Sequence, residues 1–363
     1  MSLLYDARLI ENSGIGTTIR GQLRELIARK FDLRLIGNPE VIHRCLPDYS
    51  GEIINFTAPL YSLREQLQFP ATGSHHLHIP HYNIPLKFSG RVSVTVHDLI
   101  HLQSDEFKSP IYRTYARVLL GTIARRAPCI FTVSETTRGH FLNMFPEART
   151  RTFVTLNGIE HNIFRRAKES AIKSFRKRYD LPAEFLLAVG IAKRHKNLDM
   201  LLRVLTQLWR NDFPLPLVLA GTSGKIPDYA KPLFQENVVR KNVVLLPHIP
   251  ENDLPTLYSS STALVIPSKL EGFGLPALEA MACGTPVIAS TAGSLKEVCA
   301  NAALYFDPES ESELNNALQK FSQTRSLRKK LANLGLVRAK GFTWKRNVDG
   351  MLRGFAVSGT SPA

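Results

Sequence analysis

Short apolar, β-branched runs alternate with longer stretches of helical period along the whole chain. In the first half the strand-like runs are SLLYDAR (2–8), DLRLIG (32–37), EIINF (52–56), VSVTVHD (92–98), CIFTVS (129–134) and TFVTLNG (152–158). Helical stretches such as TIRGQLRELIAR (18–29) and YRTYARVLLGTIARR (112–126) lie between them. The second half repeats the scheme with FLLAVG (185–190), PLVLAG (216–221), VVLLPH (243–248), ALVIPS (263–268), PVIAS (286–290) and ALYFD (303–307). Apolar strands separated by helices predict parallel sheets covered on both faces.

The rhythm breaks at 161–182, where HNIFRRAKESAIKSFRKRYDLP is polar, basic and helix-prone. The expected division is a first domain over 1–165, a second over 166–340 and a C-terminal segment over 341–363. The fold class is α/β, two doubly wound parallel-sheet domains in series. Such pairs bind ligands in the cleft between domains, near the carboxyl ends of the strands.

Length supports this division, since 363 residues exceed what one hydrophobic core normally fills. An apolar fraction of 44% excludes a disordered chain. No run reaches the roughly 18–20 apolar residues of a spanning helix, and MSLLYDARLIE has no signal-peptide pattern. Cys45, Cys129, Cys283 and Cys299 are scattered without CxxC or zinc spacing, so a cytoplasmic protein with reduced thiols is expected.

The net charge of +15 points to an anionic partner: nucleic acid, an anionic membrane surface or a phosphorylated small molecule. Residues 1–165 hold 19 bases and 14 acids, the remainder 27 and 17, so the excess is not gathered in one arm. Nucleic acid is disfavoured, because no aromatic residues interleave with the basic ones.

The most informative stretch is PSKLEGFGLPALEAMACGTPVIAS (267–290). A strand leads into a glycine-containing loop, Pro276 suits the first turn of a helix, and Cys283-Gly284 ends it. Amides around Gly274 and Leu275 then form an anion site at the helix start. Glu271 before that helix and Glu279 inside it suit hydroxyls better than phosphate, so a ligand carrying both groups reconciles the two. By spacing alone, a generic βα unit with solvated glutamates fits as well. In VGIAKRHKN (189–197), cations just past a strand end would neutralise a diphosphate, or form a solvated basic turn. SGIGTTIR (13–20) reads as a loop in which Gly14 and Gly16 let backbone approach a ligand, or as a plain turn. His97 and Asp98 end a buried strand, where a satisfied core histidine and a helix-capping aspartate are the common case. His75, His76, His78 and His81 match no standard metal spacing, and no metal or cofactor is expected.

Taken in order, these segments resemble the family 4 glycosyltransferases, whose signature is a pair of glutamates eight positions apart. HYNIPLKFSGRVSVTVHDLIHL (81–102), FTVSETTR (131–138), LNGIEHNIF (156–164), LAGTSGK (219–225), 243–290 and FTWKR (342–346) extend the likeness over nearly the whole chain. The resemblance implies the two-domain GT-B fold, with a last helix anchored by Trp344 crossing back to the first domain. It implies that Glu271 contacts donor-sugar hydroxyls, Glu279 the nucleotide ribose, and the amides of Phe273, Gly274 and Leu275 the sugar and diphosphate. Lys196 matches the family lysine. The family arginine position is Ile191, so Lys193 or Arg194 would supply the second cation. Gly14 and Gly16 would lie against donor phosphates, Ile249 beside the nucleobase, and His97 near the reacting centre, with Asp98 or His101 orienting it.

The function implied is a retaining transferase that moves a sugar from a nucleotide-sugar donor to a glycan or lipid-linked acceptor. YSLREQL and HYNIPL resemble mannosyltransferases of bacterial surface-polysaccharide assembly, which favours GDP-mannose and leaves UDP-sugars and dTDP-rhamnose open. A GT-B epimerase, a phosphorylase or a non-catalytic nucleotide-sugar binder is the alternative. The basic amphipathic segments 59–69 and 112–126 fit a core face with a solvated side, or peripheral docking to an anionic membrane.

Overall fold

In the computed structural model, residues 3–60, 62–70, 76–85, 91–104, 110–222 and 224–359 are described. Tyr61, His75, Leu86 and Ser223, which belong to segments singled out above, lie outside them. The chain forms two α/β units, one of residues 1–158 with 342–363 and the other of residues 159–341.

The first unit holds β1 (Leu3–Asp6), β2 (Leu33–Gly37), β3 (Ile53–Asn55), β4 (His76–Ile79), β5 (Val92–Val96), β6 (Cys129–Thr132) and β7 (Thr152–Val154). They form one parallel sheet in the order β3-β2-β1-β4-β5-β6-β7. Alternation along β1 sends Leu3 and Tyr5 into one apolar layer and Leu4 into the other, so both faces are covered. β5 does the same with Val92, Val94 and Val96 on one face.

β4 has no counterpart among the expected strands, because its sequence HLHI reads as polar. Both histidines are fully buried, and each bonds to the Ser93 hydroxyl (His76 Nε2 at 2.8 Å, His78 Nδ1 at 2.9 Å). Burial, reinforced by Arg91, lowers the pKa of His76 to about 4, so it packs as a neutral ring against Phe355.

The helix Trp344–Val357 completes this unit. Its Asn347 accepts from Gln22 (2.9 Å) and donates to the carbonyls of Thr155 and Leu156 (3.1 and 2.9 Å). A Cβ on Gly158 would lie 2.3 Å from the Trp344 backbone nitrogen, so the turn after β7 accepts only glycine. The unit boundary falls here, against an expected 165. Ile159 and Phe164 are buried, Phe164 lies 6.5 Å from the Tyr258 ring, and the Ala167 amide bonds Ser259, which ties this stretch to the second unit.

The second unit holds β8 (Leu186–Val189), β9 (Leu217–Ala220), β10 (Val243–Leu245), β11 (Ala263–Ile266), β12 (Val287–Ser290) and β13 (Ala303–Phe306). The order is β10-β9-β8-β11-β12-β13, all parallel. Chain direction across the sheet reverses between β8 and β11. Loops after those two strands diverge there, leaving the crevice at which open α/β sheets bind ligands.

Candidate active site

The loops after β8 and β11 meet at that switch point. Asn197, held left-handed at φ 59°, donates its amide to the carbonyls of Pro267 (3.1 Å) and Pro308 (2.9 Å). The Lys269 amide bonds the His195 carbonyl at 2.8 Å. These bonds bring Lys196 Nζ to 2.7 Å from Glu271 Oε1, and Ser268 Oγ donates to the same oxygen at 2.9 Å. Glu271 is 9% exposed and Lys196 21%, so the pair is shielded yet reachable.

The Glu271 loop is fixed from behind. A Cβ on Gly293 (φ +56°) would come within 2.2 Å of the Glu271 carbonyl oxygen, so only glycine allows this approach. Gly274 (φ +91°) starts the helix Leu275–Ala282, with Pro276 in its first turn. Phe273 is buried, which anchors the loop as the helix begins. The amides at this start form the positive end of the helix dipole.

Glu279 lies one turn into that helix and accepts from Tyr258 Oη at 2.6 Å. Burial raises its carboxyl to about 7; the tyrosine bond opposes this and Glu251 adds to it. Burial and Glu279 hold the Tyr258 hydroxyl well above its ordinary range, so it remains a neutral donor.

Ile191 is 1% exposed in the core, and its carbonyl accepts from Tyr229 Oη at 2.6 Å. Lys193 and Arg194 are exposed in the same turn, so the loop carries three cations around one buried isoleucine. Ile249 is buried just past β10, which ends at Leu245 rather than continuing to His248.

Three placements in the first unit differ from expectation. Gly14 and Gly16 do not lie in a loop: both are inside the helix Ser13–Ala28. Gly14 is exposed, while a Cβ on Gly16 would meet the Ile10 carbonyl oxygen at 2.5 Å. Gly16 therefore seats the helix on the backbone after β1, and that packing offsets the roughly 1 kcal/mol a helical glycine costs. Asp98 spends Oδ1 on the Ile100 amide (3.0 Å), and the His101 ring stacks on Tyr82 with centroids 4.8 Å apart. Among the described residues neither group is seen hydrogen-bonded to His97, although Asp98 acts on it through its charge.

His97 Nε2 lies 2.8 Å from the Pro80 carbonyl oxygen. A carbonyl only accepts, so Nε2 carries the proton and Nδ1 is left as the acceptor. Burial lowers its pKa against the raising effects of the Pro80 bond and Asp98, so the ring is neutral near pH 7.

Sequence reasoning missed a buried charge network at the switch point of this sheet, between β1 and β4. Arg8 reaches Asp6 Oδ2 at 2.6 Å and Glu65 Oε1 at 2.7 Å, with all three side chains at most 5% exposed. Its guanidinium lies over Phe56 and Phe69 at 5.3 and 5.4 Å. Asn83 donates to Glu65 Oε2, and its backbone amide donates to His81 Nδ1 (3.1 Å). Burial would raise the Asp6 carboxyl, but His81 and Arg8 outweigh it and hold Asp6 well below the usual carboxylate range. The signal available was an aspartate ending a buried strand with an arginine two residues on.

Residues 171–336 match the family described as Glycosyl transferases group 1. The chain is a glycosyltransferase with the GT-B architecture of two Rossmann-like sheets, and it resembles bacterial mannosyltransferases. It is 29% identical over 270 residues to O-antigen chain mannosyltransferase B of Escherichia coli, spanning 74% of this chain and 70% of that one. It is 31% identical over 246 residues to O-antigen chain mannosyltransferase RfbU of Salmonella typhimurium, spanning 67% and 64%. A D-inositol 3-phosphate glycosyltransferase of Frankia alni is 30% identical over 228 residues, spanning 60% and 56%. Among solved structures, sucrose-phosphate synthase from Thermosynechococcus elongatus (TM-score 0.76, 21% identity) and Anabaena HepE in complex with UDP-glucose (TM-score 0.76, 18% identity) share the fold. Each covers 98% of this chain, which covers 98% and 99% of theirs.

Proposed function

We propose that this protein transfers mannose from GDP-mannose to a glycan or lipid-linked acceptor, retaining the α configuration. The observation that carries the reading is the Lys196–Glu271 pair at the switch point, beside the helix start at Gly274. The names of the two O-antigen mannosyltransferases among its relatives support mannose as the sugar, and the likeness of the YSLREQL and HYNIPL segments to mannosyltransferases favours GDP as its carrier.

In this reading Glu271, oriented by Ser268 and Lys196, accepts hydrogen bonds from donor-sugar hydroxyls. Lys196, with Lys193 or Arg194, and the amides of Phe273, Gly274 and Leu275 hold the diphosphate. Glu279 takes the ribose hydroxyls, and Ile249 marks the nucleobase segment. The acceptor is assigned to the first unit, with neutral His97 as its hydrogen-bond acceptor. As the glycosidic bond breaks, charge grows on the leaving phosphate, and fixed amide dipoles and the lysine stabilise that charge more than the ground state. The acceptor hydroxyl attacks from the leaving-group side and passes its proton to the departing phosphate oxygen. Catalysis then rests on positioning and electrostatics.

A thermal-shift panel of GDP, UDP, dTDP and ADP tests the donor. The proposal expects GDP to raise the melting temperature clearly above the others; a larger shift with UDP or dTDP overturns it.

Peripheral contact with an anionic membrane belongs to the same reading. Leu63, Leu67, Ile111 and Val118 are 80%, 62%, 79% and 53% exposed, and Arg64 and Arg117 stand exposed beside them. The two helices involved, Leu63–Gln68 and Pro110–Arg126, are tied to one buried residue, since Asn83 bonds both Glu65 and Tyr115. Co-sedimentation with phosphatidylglycerol vesicles, lost in Leu63→Glu/Leu67→Glu, is the expected result. Equal binding to neutral vesicles would remove the electrostatic part. No helix among the described residues is long and apolar enough to cross a membrane.

A further inference from the structure

The second unit contains a cavity of about 540 Å³ at the end of its sheet opposite Lys196 and Glu271. Thr262, in its wall, immediately precedes β11, and Glu184 lies just ahead of β8. The donor residues follow the carboxyl ends of those same strands. Four residues of strand, about 13 Å at roughly 3.3 Å per residue, separate the two places.

Five cations line the cavity, Arg166, Arg176, Arg325, Arg328 and Lys329, against the two carboxylates Glu169 and Glu184. The carboxylates offset only part of this charge. Arg328 is engaged, meeting Glu184 at 3.0 Å and donating to the carbonyls of Phe321 (3.0 Å) and Ser322 (2.5 Å), while Arg166 stays 3.8 Å from Glu169, beyond hydrogen-bond distance. Arg176 donates Nη2 to the Ser260 carbonyl at 2.7 Å, and its buried Nε has no hydrogen-bond partner. Arg325 and Lys329 are exposed, in a helix (Arg325–Ala339) whose first turn has no acidic residue. The dipole of that helix adds positive potential at the same end. Like charges gathered around one cavity repel, and a bound anion relieves that repulsion.

The rest of the lining narrows the anion. Ser259, Ser261, Ser322 and Gln323 stand in the wall, the Ser261 and Ser322 hydroxyls donating to the carbonyls of Tyr258 and Gln319 (both 2.8 Å), and no aromatic side chain does among the described residues. Guanidinium forks and an ammonium match phosphate oxygens, whereas nothing there stacks on a nucleobase. We propose that this cavity is a second anion site, distinct from the donor site, for a small non-aromatic molecule bearing phosphate.

Calorimetric titration of the full chain with inorganic pyrophosphate at low ionic strength tests this. Lys196→Ala weakens the diphosphate contact of the donor site and is expected to leave pyrophosphate binding at the cavity. Adding Arg325→Gln/Lys329→Gln to that background should weaken the remaining binding about tenfold or more. The exchange Arg325→Lys/Lys329→Arg should restore it and exclude misfolding. Unchanged affinity after charge removal, or no binding in Lys196→Ala, overturns the proposal. The readout is binding, so absence of mannose transfer would count against the reading of the donor site alone.

Discussion

Lys196 Nζ and Glu271 Oε1, 75 residues apart in sequence, lie 2.7 Å apart after the two strands that flank the reversal of the second sheet. The contact makes the carboxylate and the ammonium one unit: each fixes the rotamer of the other, and Ser268 fixes the carboxylate again. In the proposed function, the carboxylate assigned to the sugar and the cation assigned to the phosphate are thereby placed in register before any ligand arrives, which is the preorganisation that electrostatic catalysis requires.

Replacing either member should therefore cost more than its own contacts. Glu271→Ala is expected to lower kcat by about 10²–10³ with GDP affinity largely retained. Lys196→Ala should raise donor KM and lower kcat together, and the double variant should fall short of the product of the two losses. Steady-state kinetics on the four proteins measures this; strict multiplicativity would show the pair to be uncoupled.

Gly293→Ala should act on the same carboxylate from a distance. A methyl group there meets the Glu271 carbonyl oxygen at 2.2 Å and forces a left-handed residue to carry a side chain. Transfer should drop toward the level of Glu271→Ala while circular dichroism stays native, since the clash is confined to one loop.

The raised carboxyl of Glu279 gives a pH signature. Its pKa of about 7 means the ionised form, which in the proposed function is the better acceptor for the ribose hydroxyls, grows in as pH rises. Nucleotide affinity should strengthen from pH 6 to 8 in the wild type and stay flat in Glu279→Gln. Stability runs the opposite way. A carboxyl raised on folding stabilises fully below its unfolded pKa, and that contribution is lost as pH climbs through about 7. Thermal unfolding across this range, with and without GDP, reads both effects.

Arg8 is expected to be the most sensitive charge in the first unit. Removing it in Arg8→Met leaves Asp6 and Glu65 buried without their cation, a loss of about 3–5 kcal/mol. Arg8→Lys should recover little of it, because one ammonium cannot replace a fork held by two carboxylates. Asp6 is held low in the folded chain, so its contribution is complete above the ordinary carboxylate pKa of about 4 and fades as pH falls below it. Chemical denaturation at neutral and acid pH distinguishes these cases.

Much of the fold was legible because its strands are short, nearly continuous apolar runs, as in parallel sheets covered on both faces, and all six strands of the second unit coincide with such runs. β4 escaped, since HLHI carries two histidines that burial keeps neutral and that find their hydrogen-bond partner in Ser93 of the next strand. Gly16 was misplaced for a related reason: glycine tolerates a loop or a close helix contact, and only the Ile10 carbonyl beneath it decides. Glu271, Glu279 and Lys196 were each visible in their motifs, but the Lys196–Glu271 pairing comes from loop closure by Asn197 onto Pro267 and Pro308. The Asp6–Arg8–Glu65 network left almost no trace, because burial of an arginine between carboxylates is a property of packing and not of spacing.

The central claim is tested most directly by following GDP-mannose in the presence of a polysaccharide or lipid-linked acceptor and determining the anomeric configuration of the product by NMR. The account predicts an α-linked mannoside formed by the wild-type protein and not by Glu271→Ala at comparable GDP affinity. A β-linked product, or undiminished transfer by Glu271→Ala, would contradict it.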